Sequence, residues 1–240
     1  DHRDLHLSIR RQRQMCIRDR YFDIEGYPLF EHGLEYLLGA TVIDNGTLEF
    51  HDWWAHDHPQ EKASFEAFID WAYQRWRDDP AMHIYHYAPY EVTAMGRLMG
   101  RYATREDEVD TLLRNNVFVD LYRVVKQSLL IGGPNYSLKT VEQLYQDRRE
   151  GDVQTAAASM VYYANWIESE EPQDWQSSGL LREIRDYNKV DCDSTLELAQ
   201  WLRGLQSEHG IKWIPDYRDE EGTRTVTPSP QIASPLKDED

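Results

Sequence analysis

Two acidic residues stand close together in "YFDIEG", residues 21–26. Phe22 and Ile24 alternate with Asp23 and Glu25, which predicts a strand whose two carboxylates share one face. Like charges on one face repel unless protons or a cation lie between them. Carboxylate oxygens are the ligands that Mg²⁺ and Mn²⁺ prefer, so this face could hold a divalent ion. A solvated strand edge is the simpler explanation of the stretch alone.

Two later segments carry groups that could join this pair. In "YNKVD", Tyr187 and Asp191 have the i, i+4 spacing of one helix face. Glu91 opens a predicted helix, where an acid also has the ordinary role of interacting with the helix dipole. The apolar stripe of the helix that carries Tyr187 is predicted to comprise Leu180, Leu181, Ile184, Val190, Leu198 and Leu202.

The predicted elements would bring these segments together. Strands are predicted at 21–25, 35–43, 47–55, 82–87 and the start of 117–129, and helices at 60–79, 90–103, from Asn135 or Ser137, 153–168 and 179–206. Three antiparallel strands followed by crossovers predict an α/β fold, a mixed five-stranded sheet with helices on both faces. The first strand would lie centrally, where Asp23 and Glu25 are costly unless something compensates them.

Composition limits the class of protein. Eight Trp and fifteen Tyr in 240 residues indicate a substantial core. No apolar run is long enough to span a bilayer, no signal peptide opens the chain, and Cys16 and Cys192 give no zinc spacing, so a cytoplasmic location is expected. The net charge of −17 disfavours a broad phosphate-binding surface, but not an enzyme whose acids bind metal ions.

Three regions are predicted along the chain. Residues 1–20 are Arg-rich and aperiodic, and "QMCIRDR" resembles translated sequencing-adapter sequence, so this segment is predicted to be non-native or disordered. Residues 21–206 carry the periodic patterns of one domain. Residues 207–240 are charged and rich in Pro and Ser, which predicts a disordered linker or tail.

With its motifs in this order, the sequence resembles the DEDD exonuclease superfamily, the DnaQ-like branch of the ribonuclease H fold. Asp23-x-Glu25 matches the first motif of that superfamily. Tyr187-x3-Asp191 matches the third motif without change, which implies the tyrosine-bearing DEDDy subgroup. The finer resemblance, over about residues 21–205, is to the YprB-like ribonuclease H-like (RNase_H_2) domain of predicted RecB-family nucleases, through "FDIEG", "IYHYAPYE", "FVDLYRVV", "YSLKTVE" and "YNKVDCDST".

The second motif departs from the superfamily pattern, Asn-x3-(Phe/Tyr)-Asp. His86 stands in place of Asn and Glu91 in place of Asp, at the same spacing. The extra methylene of Glu91 can shift a metal ligand by about an ångström unless the backbone retreats.

The resemblance implies a divalent-metal-dependent nuclease, a 3′–5′ exonuclease acting on single-stranded ends of DNA or RNA with two Mg²⁺ or Mn²⁺ ions. The hypothesis for the ligands is that Asp23 bridges both ions, Glu25 and Asp191 complete one, and Glu91 supports the other. Tyr187 would orient the attacking water. In some proteins of this kind a RecB-like region precedes the domain and a helicase follows it, and this chain would then be a fragment.

Three further residues are candidates near such a site. His86 and Lys139 are candidates for substrate binding, although an exposed helix lysine is the simpler explanation of Lys139. Asp120, in "FVDLY", is either a functional acid or a cap of the following turn.

Two other classes of function remain open. The first is a non-catalytic nucleic-acid-binding module with this fold that serves an attached helicase. The second is an acidic protein-interaction domain, which only the net charge supports. A PD-(D/E)xK nuclease core is disfavoured because no Lys follows the acids at the required interval.

Overall fold

The computed structural model describes residues 19–44, 46–146 and 156–211. Its elements are β1 (Arg20–Tyr27), β2 (Leu34–Asp44), β3 (Thr47–Trp54), α1 (His58–Asp78), β4 (Ile84–His86), α2 (Tyr90–Tyr102), α3 (Glu106–Arg114), β5 (Phe118–Asp120), α4 (Leu121–Ser128), α5 (Leu138–Glu142), α6 (Ala156–Glu168) and α7 (Gly179–Glu208). Helix α3 was not predicted, because only Val109 and Leu112 of this short segment are buried. The chain divides into two compact units, residues 1–203 and 204–240.

The five strands form one sheet in the order β3-β2-β1-β4-β5. β1 pairs antiparallel with β2, and β2 with β3, whereas β1 pairs parallel with β4 and β4 with β5. Asp44 pairs with Thr47 across the β2–β3 hairpin, and Gly46 has a φ of 83°, a conformation that glycine adopts without strain. The predicted mixed sheet with a central first strand is confirmed.

The two faces of β1 are covered by different helices. Phe22 and Ile24 pack with residues of α1, α2 and α3. Tyr21 packs on the opposite face with residues of α4, α5 and α7. Since side chains alternate along a strand, Asp23 and Glu25 share the face of Tyr21. The acids therefore lie under a covering layer of helices.

The folded unit begins earlier than the sequence indicated. Arg20 is the first residue of β1, and Asp19 is 3% exposed, although both were assigned to the aperiodic N-terminal segment. The Asp19 carboxylate accepts a hydrogen bond from Arg203 at 2.7 Å. From the sequence alone, a charged residue is expected at the surface when its ion-pair partner lies far away along the chain. The rest of that segment, and most of the predicted tail, lie outside the described residues.

None of the helices in the described ranges combines the length and apolar character that crossing a bilayer requires.

Candidate metal centre

Three acidic side chains converge where α7 crosses β1. Asp23 and Glu25 of β1 and Asp191 of α7 each offer a carboxylate oxygen, and these oxygens all lie within 4.8 Å of one another. Glu25 is 5% exposed, whereas Asp23 and Asp191 are partly open to solvent. The structure thus brings together three of the four candidate ligands; we call these three residues the carboxylate cluster.

Burial and mutual repulsion together make charge unfavourable in the carboxylate cluster. Burial raises the pKa of Asp23 well above its usual value, and the charges of Asp191, Glu25 and Glu91 raise it further. Burial and the charge of Asp191 raise the pKa of Glu25 to about 8. Within the described part of the chain, no Lys or Arg forms an ion pair with Asp23 or Glu25. The cluster must therefore keep protons or receive a cation.

The donor set suits a hard divalent cation. The cluster offers only carboxylate oxygens, which favour Mg²⁺, Mn²⁺ or Ca²⁺ over softer metals. Among the described residues, no Cys or His belongs to it. The residues present therefore fit the magnesium or manganese ions that the resemblance implies.

Asn188 supports the cluster and was not predicted. Its Nδ2 donates a hydrogen bond to Oδ2 of Asp23 at 2.7 Å, and a further side-chain hydrogen bond of Asn188 lowers the pKa of Glu25. Asn188 is fully buried. It lies four residues from both Ile184 and Cys192, which are also fully buried, so helical spacing along this line could have found it.

The predicted apolar stripe of α7 was wrong at one residue. Val190 is 41% exposed, because the buried face runs through Asn188 and Cys192. A prediction based on hydrophobicity alone assigned Val190 to the buried face and left out Asn188.

Helix α7 approaches the sheet at a residue that has no side chain. Gly39 of β2 is paired with Asp23 of β1. A Cβ atom on Gly39 would lie 1.7 Å from Oδ1 of Asn188. The Cys192 thiol donates to the Gly39 carbonyl at 3.3 Å. Glycine is therefore required at this position if α7 is to bring its polar side chains to β1.

Tyr187 contacts the cluster through Asp191. The Asp191 carboxylate interacts with its hydroxyl strongly enough to raise the pKa of the phenol. Burial raises the pKa of Tyr187, and the neighbouring carboxylates raise it further, so the phenol stays protonated at neutral pH. The Nζ atom of Lys139 lies 5.4 Å from the centroid of the Tyr187 ring and is buried, so Lys139 is neither the exposed helix lysine nor the open phosphate ligand that the sequence suggested.

Glu91 lies outside the set of mutually close carboxylates, although its charge contributes to the raised pKa of Asp23. It is 3% exposed at the first turn of α2, and its Oε2 lies 3.2 Å from Nδ1 of His86. The same Nδ1 lies 2.7 Å from the carbonyl of Ala88. The sequence suggested that His86 binds substrate. His86 is only 1% exposed, however, and in the structure it supports Glu91.

Asp120 holds the loop that precedes Glu91. Its Oδ1 accepts from the backbone N–H of Tyr122 at 2.9 Å, which caps α4, and from that of Ala88 at 3.0 Å. Ala88 has a φ of 81°, which is strained for a residue with a Cβ. Of the two explanations considered for Asp120, the structure shows the cap.

An ion pair with a buried carboxylate fixes the start of α2. Glu35 of β2 is 2% exposed, pairs with Arg97, and accepts hydrogen bonds from the Tyr90 hydroxyl at 2.9 and 3.0 Å. Tyr90 is adjacent in sequence to Glu91. Periodicity could not reveal this contact, because the charged partners come from different elements.

Fold and site together define an α/β protein with an acidic cluster, able to bind a metal ion, on the middle strand of its sheet. A family model described as RNase_H superfamily matches residues 20–203, and the chain belongs to this superfamily. The membership indicates nuclease activity on nucleic acid, for which divalent metal ions are typical cofactors. No significant match was found among curated proteins or among solved structures.

The metal-free protein is expected to lose stability as the pH rises from about 5 to about 8. The pKa of Glu25, about 8 in the folded state, exceeds its unfolded value, so the folded protein binds more protons across this window and deprotonation penalises it. Glu25→Gln should reduce the change in the free energy of unfolding between about pH 5 and about pH 8 by on the order of 2 kcal/mol, measured by urea unfolding with EDTA. Glu49→Gln, at an exposed position of β3, is the matched control, and equal slopes for both variants would contradict the assignment.

Proposed function

We propose that this chain is a divalent-metal-dependent nuclease of the DEDDy type, which removes nucleotides from the 3′ ends of single-stranded DNA or RNA. The observation that carries the proposal is the approach of three carboxylate oxygens to within 4.8 Å inside a ribonuclease H superfamily fold. The motif resemblance to the YprB-like domain of RecB-family nucleases supports the polarity and the single-stranded substrate.

Asp23, Glu25 and Asp191 would hold the metal, with Glu91 available to a second ion. Bound Mg²⁺ or Mn²⁺ supplies an activated water and neutralises charge on the leaving oxygen. The buried amide of Asn188 holds the Asp23 carboxylate in place. Strand, helix and amide would hold these residues in position before any ligand binds.

Tyr187 acts as a hydrogen-bond donor rather than as a base. Its raised pKa keeps the proton on the hydroxyl, which orients Asp191 and a water beside it. His86 holds Glu91 through Nδ1.

The direct test is hydrolysis of 5′-labelled single strands of DNA and RNA, with Mn²⁺ or with EDTA. We expect a ladder of shortened products with Mn²⁺ only, and a loss of about a thousandfold for Asp191→Asn. The matched control is Asp193→Asn, two residues further along α7, where the carboxylate binds Thr41 and Lys189 instead. Equal product from the wild type and Asp191→Asn would mean a contaminating nuclease.

A non-catalytic nucleic-acid-binding module serving an attached helicase is the second candidate. The observation that favours it is the separation of Glu91 from the carboxylate cluster. Binding of the strands without metal-dependent cleavage by the wild type would select this function over the first.

A further inference from the structure

One segment of this acidic chain contains no acidic residue. Residues 121–141 include Arg123, Lys126 and Lys139 but no Asp or Glu, and no other stretch of the sequence is acid-free for so long, although the chain has 43 acidic residues. Asp120 caps α4, and Glu142 is 4% exposed. Within α4, Arg123 and Lys126 are exposed, and the helix itself contains no acidic residue.

One end of this segment contacts Tyr87 and the other contacts Tyr187, which neighbours the carboxylate cluster. At one end, the Tyr122 ring packs edge-on against Tyr87, with centroids 5.8 Å apart, and Tyr87 directly follows His86. At the other end, Lys139 lies over the ring of Tyr187, which interacts with Asp191. The Tyr87 hydroxyl also donates to a backbone carbonyl within the segment. The segment thus borders the site along the edge formed by α4 and α5.

The outward face of α4 combines cations with an aromatic ring. Arg123 and Lys126 are exposed, Tyr122 is half-buried, and their spacing puts them on one helix face. The Nζ atom of Lys126 lies 5.5 Å from the Tyr122 ring centroid. In the part of the chain that the structure describes, Arg123 and Lys126 form no ion pair with an acid. Exposed cations beside a ring that a base can stack on are the features of surfaces that bind single strands.

We propose that Tyr122, Arg123 and Lys126, which we call the α4–α5 surface because they lie along the edge formed by these two helices, bind single-stranded nucleic acid on its way to the carboxylate cluster. The cations contact successive phosphates, and Tyr122 stacks on a base. The inference rests on the proposed function, since it takes the carboxylate cluster as the destination of the strand. The net charge of −17 repels a polyanion elsewhere, so an acid-free surface beside the cluster determines the path.

Binding can be measured apart from cleavage in the full chain carrying Asp23→Asn. The probes are fluorescein-labelled oligothymidylate and oligouridylate, titrated at several salt concentrations with Mn²⁺. Adding Arg123→Glu and Lys126→Glu together should weaken binding at least tenfold at low salt. It should also reduce the slope of log affinity against log salt by about 1.4, the loss of two phosphate contacts on a single strand. The relative affinity of the two probes distinguishes DNA from RNA.

The matched control reverses two exposed cations of α1, on the opposite face of the sheet. Lys62→Glu with Arg77→Glu changes the net charge by the same amount and should leave the salt slope unchanged. Equal losses from both pairs would show a general charge effect and overturn the assignment of a surface. So would wild-type affinity in the Arg123→Glu, Lys126→Glu protein.

The stacking part has its own test. Tyr122→Ala should weaken binding of a normal oligothymidylate by about tenfold, and of an abasic oligonucleotide of equal length not at all. A melting curve checks that this variant is folded. Equal losses for both probes would overturn the stacking role, and equal affinity of the parent protein for duplex DNA would overturn the preference for single strands.

Failure of this inference is distinguishable from failure of the proposed function. Metal-dependent cleavage by the wild type, with unaltered binding in the α4 variants, overturns the α4–α5 surface and leaves the nuclease in place. Specific loss of binding in those variants, with no cleavage by the wild type, supports the surface and overturns the nuclease.

Discussion

Asp23→Asn is expected to stabilise the metal-free protein while abolishing hydrolysis. A charge on Asp23 is unfavourable, since burial and three neighbouring carboxylates all raise its pKa. A neutral amide removes that repulsion and can still meet the Asn188 side chain, now through its oxygen. We expect a gain of about 1–3 kcal/mol in the free energy of unfolding at pH 8 with EDTA, and a loss of activity of at least about a thousandfold.

Urea unfolding and the hydrolysis assay measure the two effects, and titration with Mn²⁺ adds a third. Metal binding should raise the melting temperature of the wild type by mass action, and this rise should largely disappear in Asp23→Asn. The contrasting control is Asp19→Asn, in a buried aspartate that has a cationic partner in Arg203. It should lose about 1–3 kcal/mol. Destabilisation by both substitutions would show that the repulsion at Asp23 is not a net cost.

Gly39→Ala is expected to damage the site without touching any carboxylate. The added methyl would lie 1.7 Å from Oδ1 of Asn188 and 2.8 Å from Cζ of Phe50, so α7 must move away from β2. Such overpacking costs about 3 kcal/mol or more. Since α7 carries Asp191, we expect the Mn²⁺-induced rise in melting temperature to fall along with the stability.

Two further variants separate crowding from a general effect of alanine. Gly96→Ala, on α2, meets no atom within 4 Å and should stabilise the protein by about 0.5–1 kcal/mol. Combining Gly39→Ala with Asn188→Ala removes one of the clashing groups, so the double variant should be more stable than the sum of its single effects predicts. If the stability effects of the two substitutions are strictly additive, Asn188 does not clash with the methyl group at position 39.

Short-range periodicity was enough to predict the central strand with its two acids and the helix face that carries Tyr187 and Asp191. A period of two placed Asp23 and Glu25 on one face, and the order of elements placed their strand at the centre of the sheet, as the structure shows. The i, i+4 spacing placed Tyr187 on the same helix face as Asp191, and the charge of Asp191 raises the pKa of Tyr187.

Most of the contacts that support the site residues could not be predicted from such patterns. Asn188 shares the helical spacing of Ile184 and Cys192, but it was passed over because a polar residue leaves no hydrophobic signal. The support of Glu91 by His86 depends on the left-handed backbone of Ala88, a conformation that alanine rarely adopts and that no motif signals. The role of Asp120 as a cap was foreseen as one of two alternatives, since that interaction spans only a few residues.

The ion pair between Asp19 and Arg203 has a consequence for protein architecture. It fastens the residue before the first strand to one near the end of the last helix, so a polypeptide enters and leaves this unit at neighbouring points. A unit built in this way can be spliced into a loop of a host protein without separating the two sides of that loop. Its ends also lie close enough for a short engineered connection, which makes it a suitable scaffold for circular permutation.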